Sequence, residues 1–96
     1  MTAKLIKRDP NRRPTHPGVI LREDTLPELG MTQGKFAAAL GVSRLTVSEI
    51  LNEKRGITPT MAVKLEKTIG SSAEFWLSMQ TAVDLWEVRH AQLEAA

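Results

Sequence analysis

The stretch Leu40-Gly-Val-Ser-Arg-Leu-Thr-Val-Ser-Glu-Ile-Leu51 decides the fold. Gly41 supplies the positive φ that ends one helix, and Ser43, two residues on, is an N-cap that starts another. Two helices joined so closely must cross at a steep angle, as in a helix-turn-helix. Each position then has its own steric reason. Ala37 is small where the second helix crosses the first, and Gly41 takes the left-handed turn. Val47 and Ile50, one helical turn apart, face inward, while Phe36, Leu40 and Val42 fill the remaining buried positions. Counted from Gln33, this is a small residue at position 5, glycine at 9 and aliphatics at 15 and 18. The outward side of the second helix carries Ser43, Arg44, Thr46, Ser48 and Glu49, a face that no core needs.

Working outward, Thr32 caps the first helix of the motif, from Gln33 to Leu40. Before it, Pro17 opens a short helix that is expected to end near Leu26, ahead of Pro27, with Val19, Ile20 and the Glu23–Leu26 stretch turned inward. After it, Thr58-Pro59 starts a fourth helix, which Gly70 stops, and Met61, Ala62, Leu65 and Ile69 form its inner stripe. A fifth helix begins at Ser72 and runs to about residue 92. Its expected core face is Phe75, Met79, Val83 and Trp86, with Leu77, Leu85 and Val88 on another face. A helix apolar around so much of its circumference needs a second surface to cover it. No alternating β-branched run interrupts these segments, so the fold is all-α, with five helices. Residues 15–70 are expected to form the helix-turn-helix domain around a motif at 33–52, and residues 71–96 a longer C-terminal helix that packs on it and has apolar surface left for a second copy. Residues 1–14, rich in proline and charge, are expected to be a basic flexible arm.

Composition narrows the classes. The 96 residues are 42% hydrophobic and 25% charged, which suits one small globular domain. With no cysteine, disulfides and thiolate metal sites are excluded, and a cytoplasmic protein is expected. No apolar run approaches the ~20 residues of a membrane span, and no leader pattern precedes the domain. Charge is uneven: Lys4, Lys7, Arg8, Arg12 and Arg13 face only Asp9 in residues 1–13, whereas Glu74, Asp84, Glu87 and Glu94 face only Arg89 in residues 71–96. The two ends therefore suit different partners.

The outward face of the second motif helix is suited to a DNA major groove, with its N-terminal residues at the base edges. There Arg44 can donate two hydrogen bonds to guanine, Leu45 and Thr46 can meet a thymine methyl or a base edge, and Glu49 can accept from cytosine. Gln33 and Ser43 lie at helix N-termini, where donors hold phosphates. Ser48 shares the outward face, and Lys35, Lys54 and Arg55 flank it as phosphate contacts. A single module buries only about 600–1,000 Å² on DNA, so two copies reading half-sites about 34 Å apart are expected. Leu77, Leu85, Trp86 and Val88 are the candidate interface for that homodimer. An enzyme is not expected. His16 and His90 lack companions, His16 serving to orient the start of the first helix and His90 pairing with Glu94 on the surface. There is no glycine-rich phosphate loop, HExxH motif or carboxylate cluster, so neither a cofactor nor a metal is expected.

Four segments occur in a recognisable order: THPGVILRE at 15–23, LGVSRLTVSEILN at 40–52, GITPTMAVKLEKTIG at 56–70 and SSAEFWLSMQTAVDLW at 71–86. Together they resemble the HigA/VapI family of antitoxin repressors, a branch of the lambda-repressor-like helix-turn-helix proteins. The resemblance spans residues 14–88, and Thr15-His16-Pro17-Gly18 and Phe75-Trp76-Leu77 are its most specific parts. It implies a dimer that binds its own promoter operator on double-stranded DNA and neutralises a RelE-like, mRNA-cleaving toxin. A basic, RNA-binding toxin would favour the acidic C-terminal region or Glu23, Asp24 and Glu28 as its docking surface. The alternative is a solitary dimeric repressor without a toxin.

Overall fold

The computed structural model describes the backbone of residues 12–95 and the side chains of residues 12–91. Every element among them is helical: α1 (Pro17–Ile20), a π-helical turn (Leu21–Thr25), α2 (Leu26–Leu29), α3 (Gln33–Leu40), α4 (Arg44–Leu51), α5 (Pro59–Ile69) and α6 (Ala73–Ala95). The first three run on without a break, giving five helical bodies. The basic arm expected over residues 1–14 lies outside the described residues except for Arg12, Arg13 and Pro14. Of these, Arg13 is tied to the domain rather than loose.

The first helical stretch differs from expectation in its length. It passes through Pro27 and ends at Gly30, which has φ 64°. A proline within an α-helix lacks the N–H for the carbonyl four residues back and crowds it. Here the turn just before the proline is π-helical, with the Leu26 N–H reaching the Leu21 carbonyl five residues back. That wider turn accommodates the ring. The buried residues of this stretch match the expectation only in part: Leu26 is buried as expected, but so is Leu21, while Val19 and Ile20 are half-buried and Glu23 is exposed.

The other starts and stops follow local chemistry. Thr32, Ser43 and Thr58 each accept the backbone N–H three residues on, from Lys35, Thr46 and Met61. Gly41 and Gly70 end α3 and α5 at φ 75° and 89°. Phe36, Ala37 and Leu40 of α3, Val47, Ile50 and Leu51 of α4, and Met61, Ala62 and Leu65 of α5 meet Leu21 in one core. Val42 and Ile69 pack at its margin.

Of the face of helix α6 expected to turn inward, Val83 is buried, Met79 and Trp86 are half-buried, and Phe75 is exposed. Ala73, Trp76, Gln80 and Val83 are buried, whereas Phe75 is 46% exposed. Trp76, the largest side chain available, takes the core position, and Phe75 lies edge-on to it with ring centroids 5.0 Å apart. The expected apolar stripe also overlooked Gln80, which is buried because both ends of its amide are satisfied. Its Oε1 accepts the Ile57 N–H at 2.8 Å, and its Nε2 donates to Asp84 Oδ1 at 2.9 Å. Gly56 makes this possible, since a Cβ there would lie 2.9 Å from the Gln80 amide.

Candidate nucleic-acid interface

Helix α4 has a buried side and an open one. Val47, Ile50 and Leu51 are 1–3% exposed, while Arg44 and Leu45 stand out in solvent, Leu45 at 66%. Thr46, Ser48 and Glu49 are half-buried between them. Ser43 Oγ accepts the Thr46 N–H at 3.0 Å and lies 2.9 Å from Thr46 Oγ1, so the cap also fixes the threonine hydroxyl. Gln33 is the first residue of α3 and half-buried, and Lys35, two residues on, is exposed. The N-termini of α3 and α4 each carry the partial positive charge of a helix start.

Beyond α4 the chain turns through Asn52 and Glu53 into the loop bearing Lys54 and Arg55. Asn52 Nδ2 donates to the Ser48 carbonyl at 2.9 Å. Lys54 is exposed. Arg55 is joined to Glu49, with Nε at 2.9 Å and Nη2 at 2.6 Å from the same oxygen, Oε1. The sequence placed these two residues in separate roles, and the structure brings them together.

The rear of α4 is held by residues to which the sequence assigned no such role. Gly18 of α1 lies against the Ile50 carbonyl so closely that a Cβ there would come within 1.9 Å of the oxygen. Arg22 Nη1 donates to the Leu51 carbonyl at 2.8 Å, satisfying the C-terminal end of the helix. Glu53 follows in the left-handed conformation at φ 63°, where glycine is usual. Its carboxylate meets Arg13 Nη1 at 2.8 Å and Arg22 Nη1 at 3.8 Å, while Arg13 Nη2 reaches Glu87 of α6 at 3.0 Å. Nothing in the spacing of Asn52-Glu-Lys-Arg-Gly56 signals this arrangement, because the partners of Glu53, Arg13 and Arg22, lie far back in the chain, Arg13 40 positions away.

His16 sets where this rear support begins. It is 3% exposed and caps α1, its Nδ1 accepting the Gly18 N–H at 2.9 Å. That bond requires the neutral ring, and burial pushes its pKa below the ordinary 6.5, with Arg13 adding to the effect and Glu53 opposing it.

The candidate partner residues on α6 are divided. Leu85 and Val88 are 45% and 55% exposed. Leu77 is half-buried against the core, and its remaining surface lines a shallow groove with Thr81, Ala82 and Leu85. Trp86 is half-buried and stacks on His90 at 3.8 Å, and His90 Nδ1 lies 2.9 Å from the Trp86 carbonyl. His90 is thus engaged with Trp86, and the Glu94 side chain expected to pair with it lies outside the described residues. No described helix is long and apolar enough to cross a membrane.

A short helix crossing a second through a one-glycine turn, with the outer side of the second left open, defines a helix-turn-helix domain. The helix-turn-helix family model matches residues 21–76. The antitoxin HigA-1 of Vibrio cholerae is 40% identical over 89 residues, covering 93% of this chain and 84% of that protein. The Pseudomonas aeruginosa antitoxin HigA, solved with the higBA promoter, superposes with a TM-score of 0.81 at 38% identity, over 86% of this chain and 90% of that one. An addiction-module antidote protein of the HigA family from Coxiella burnetii gives 0.79 at 34% identity, over 88% and 91%. The chain belongs to the HigA-type antitoxins, a family of helix-turn-helix DNA-binding regulators.

Proposed function

We propose that this protein is a cytoplasmic antitoxin with two tasks: binding its own promoter operator as a homodimer, and neutralising a RelE-like, mRNA-cleaving toxin. The observation that carries the DNA-binding half is α4 itself. It is anchored along its inner side and at its C-terminal end, yet presents Arg44, Leu45 and Thr46 outward at its N-terminal end. Arg44 supplies a fork for guanine, Leu45 a methyl contact for thymine, and Thr46 a hydroxyl already oriented by Ser43. Gln33, Ser43, Lys35 and Lys54 approach the phosphates, and Ser48 completes the face. That a Pseudomonas aeruginosa relative was solved with the higBA promoter supports operator binding by this chain.

The second task rests on family membership and on exposed surface away from α4. Glu23, Asp24 and Glu28 are exposed on the first helical stretch and suit a basic, RNA-binding toxin. Leu85 and Val88, with the groove beside Leu77 and the adjoining Trp86, suit a second copy of the chain. Trp86→Ala should weaken that dimer, measured by sedimentation, and an unaltered dimer with normal melting would remove Trp86 from the interface.

The test is co-expression with the small reading frame adjacent to this gene, scoring growth and copurification. Arrest by the neighbour, rescue by this protein and co-elution are expected. A harmless neighbour that does not copurify would leave a dimeric repressor without a toxin.

A further inference from the structure

We propose that Arg55 is a base-reading residue, directed at a guanine in each half-site, and that Glu49 is the residue that positions it. The proposal rests on the DNA-binding reading above and changes what two of its residues do. It replaces a cytosine contact from Glu49 and a phosphate contact from Arg55 with one joint contact.

The geometry of the pair is the starting point. A guanidinium has five N–H donors on two usable edges, Nε with Nη2 and Nη1 with Nη2. Glu49 Oε1 occupies the first edge, taking Nε at 2.9 Å and Nη2 at 2.6 Å. The end-on edge keeps one hydrogen from Nη1 and one from Nη2. That is the fork that matches the O6 and N7 acceptors of guanine. The Arg55 side chain is 51% exposed, so this edge is accessible, and the Glu49 side chain, at 33%, is the more enclosed member.

Position and charge point the same way. Glu49 lies one turn beyond Leu45 and Thr46 on α4, so the pair extends the outward face of the helix rather than its flank. An arginine already paired with a carboxylate forms a unit of no net charge, which contributes little to displacing counterions from phosphates. A lone carboxylate on this face would instead be repelled by the DNA. Pairing removes the repulsion and restricts a long side chain to one orientation, lowering the entropy lost when it contacts a base.

The experiment is selection from randomised duplexes by the full chain, followed by affinity measurements on the selected sequence and its single-base variants. Wild type, Arg55→Ala, Arg55→Lys and Glu49→Gln are compared after melting curves show that all are folded. Wild type should select one guanine per half-site for which Arg55→Ala and Arg55→Lys lose about ten- to a hundredfold of preference. Glu49→Gln should relax that same position by a smaller factor and leave the others intact. Equal loss on every sequence in Arg55→Ala, restored by Arg55→Lys, would make Arg55 a phosphate contact and overturn the proposal. Loss of a cytosine preference in Glu49→Gln alone would overturn it in favour of direct contact by Glu49. If wild type selects no motif at all, the DNA-binding reading fails first and this inference with it.

Discussion

The two ends of α4 are held by different means. At the N-terminal end a single side chain, Ser43, closes the helix, and the residues after it stand in solvent. At the C-terminal end, Gly18 lies against the Ile50 carbonyl, Arg22 bonds the Leu51 carbonyl, and Glu53 ties the following loop to Arg13. A helix that must enter a groove cannot be supported from the groove side, so its orientation is fixed from behind. Damage to the rear should therefore register as lost stability, and damage to the front as lost binding.

The largest effect expected comes from the rear. Gly18→Ala places a methyl 1.9 Å from the Ile50 oxygen, and α1 must move away from α4. We expect a loss of about 3 kcal/mol in urea unfolding, at the upper end of ordinary overpacking. A loss below about 1 kcal/mol would mean that the rear contact is not rigid. At the front, Arg44→Ala should reduce affinity for the promoter by about ten- to a hundredfold with melting unchanged, as measured by fluorescence anisotropy. Unaltered affinity would remove Arg44 from the interface.

Two smaller effects sharpen the contrast. Ser43→Ala removes both Ser43 bonds to Thr46 at the open end and should cost about 1 kcal/mol in stability, together with weaker binding because Thr46 loses its restraint. If stability falls but binding does not, the Thr46 hydroxyl does not contact DNA. His16 adds a pH dependence confined to the rear. Its folded pKa lies below the unfolded 6.5, so the unfolded chain binds the extra proton first. The His16 contribution is complete above about pH 6.5 and declines as pH falls through the folded value. Melting temperature should drop from pH 7.5 to 5, and His16→Asn, which keeps a capping oxygen, should flatten that drop. An equal slope in both proteins would place the acid sensitivity elsewhere.

The legibility of the sequence follows the same division. Ala37, Gly41, Ser43, Val47 and Ile50 act over a few residues, so their spacing alone places the turn and the outward face. The phase of α6 was not legible in this way. Phe75, Met79, Val83 and Trp86 form as good a stripe as Ala73, Trp76, Gln80 and Val83, and the bulk of Trp76 and the bond from Ile57, 23 residues away, to Gln80 hold the second stripe inward. The extension through Pro27 depends on a π-helical turn that no single residue marks. Glu53 is a polar loop residue until Arg13 and Arg22 are placed beside it. Likewise Glu49 and Arg55, six residues apart, share no helical face in sequence and meet only because the chain turns at Glu53.

The most direct test of the central claim, that the open face of α4 meets DNA while its rear only supports it, is an amide chemical-shift titration. The ligand would be a duplex taken from the region preceding this protein's own reading frame. Shifts should concentrate at Gln33, Lys35, Ser43 to Glu49, Lys54 and Arg55, with small changes along α6. Shifts concentrated on α6 or on the first helical stretch, with α4 unmoved, would contradict it.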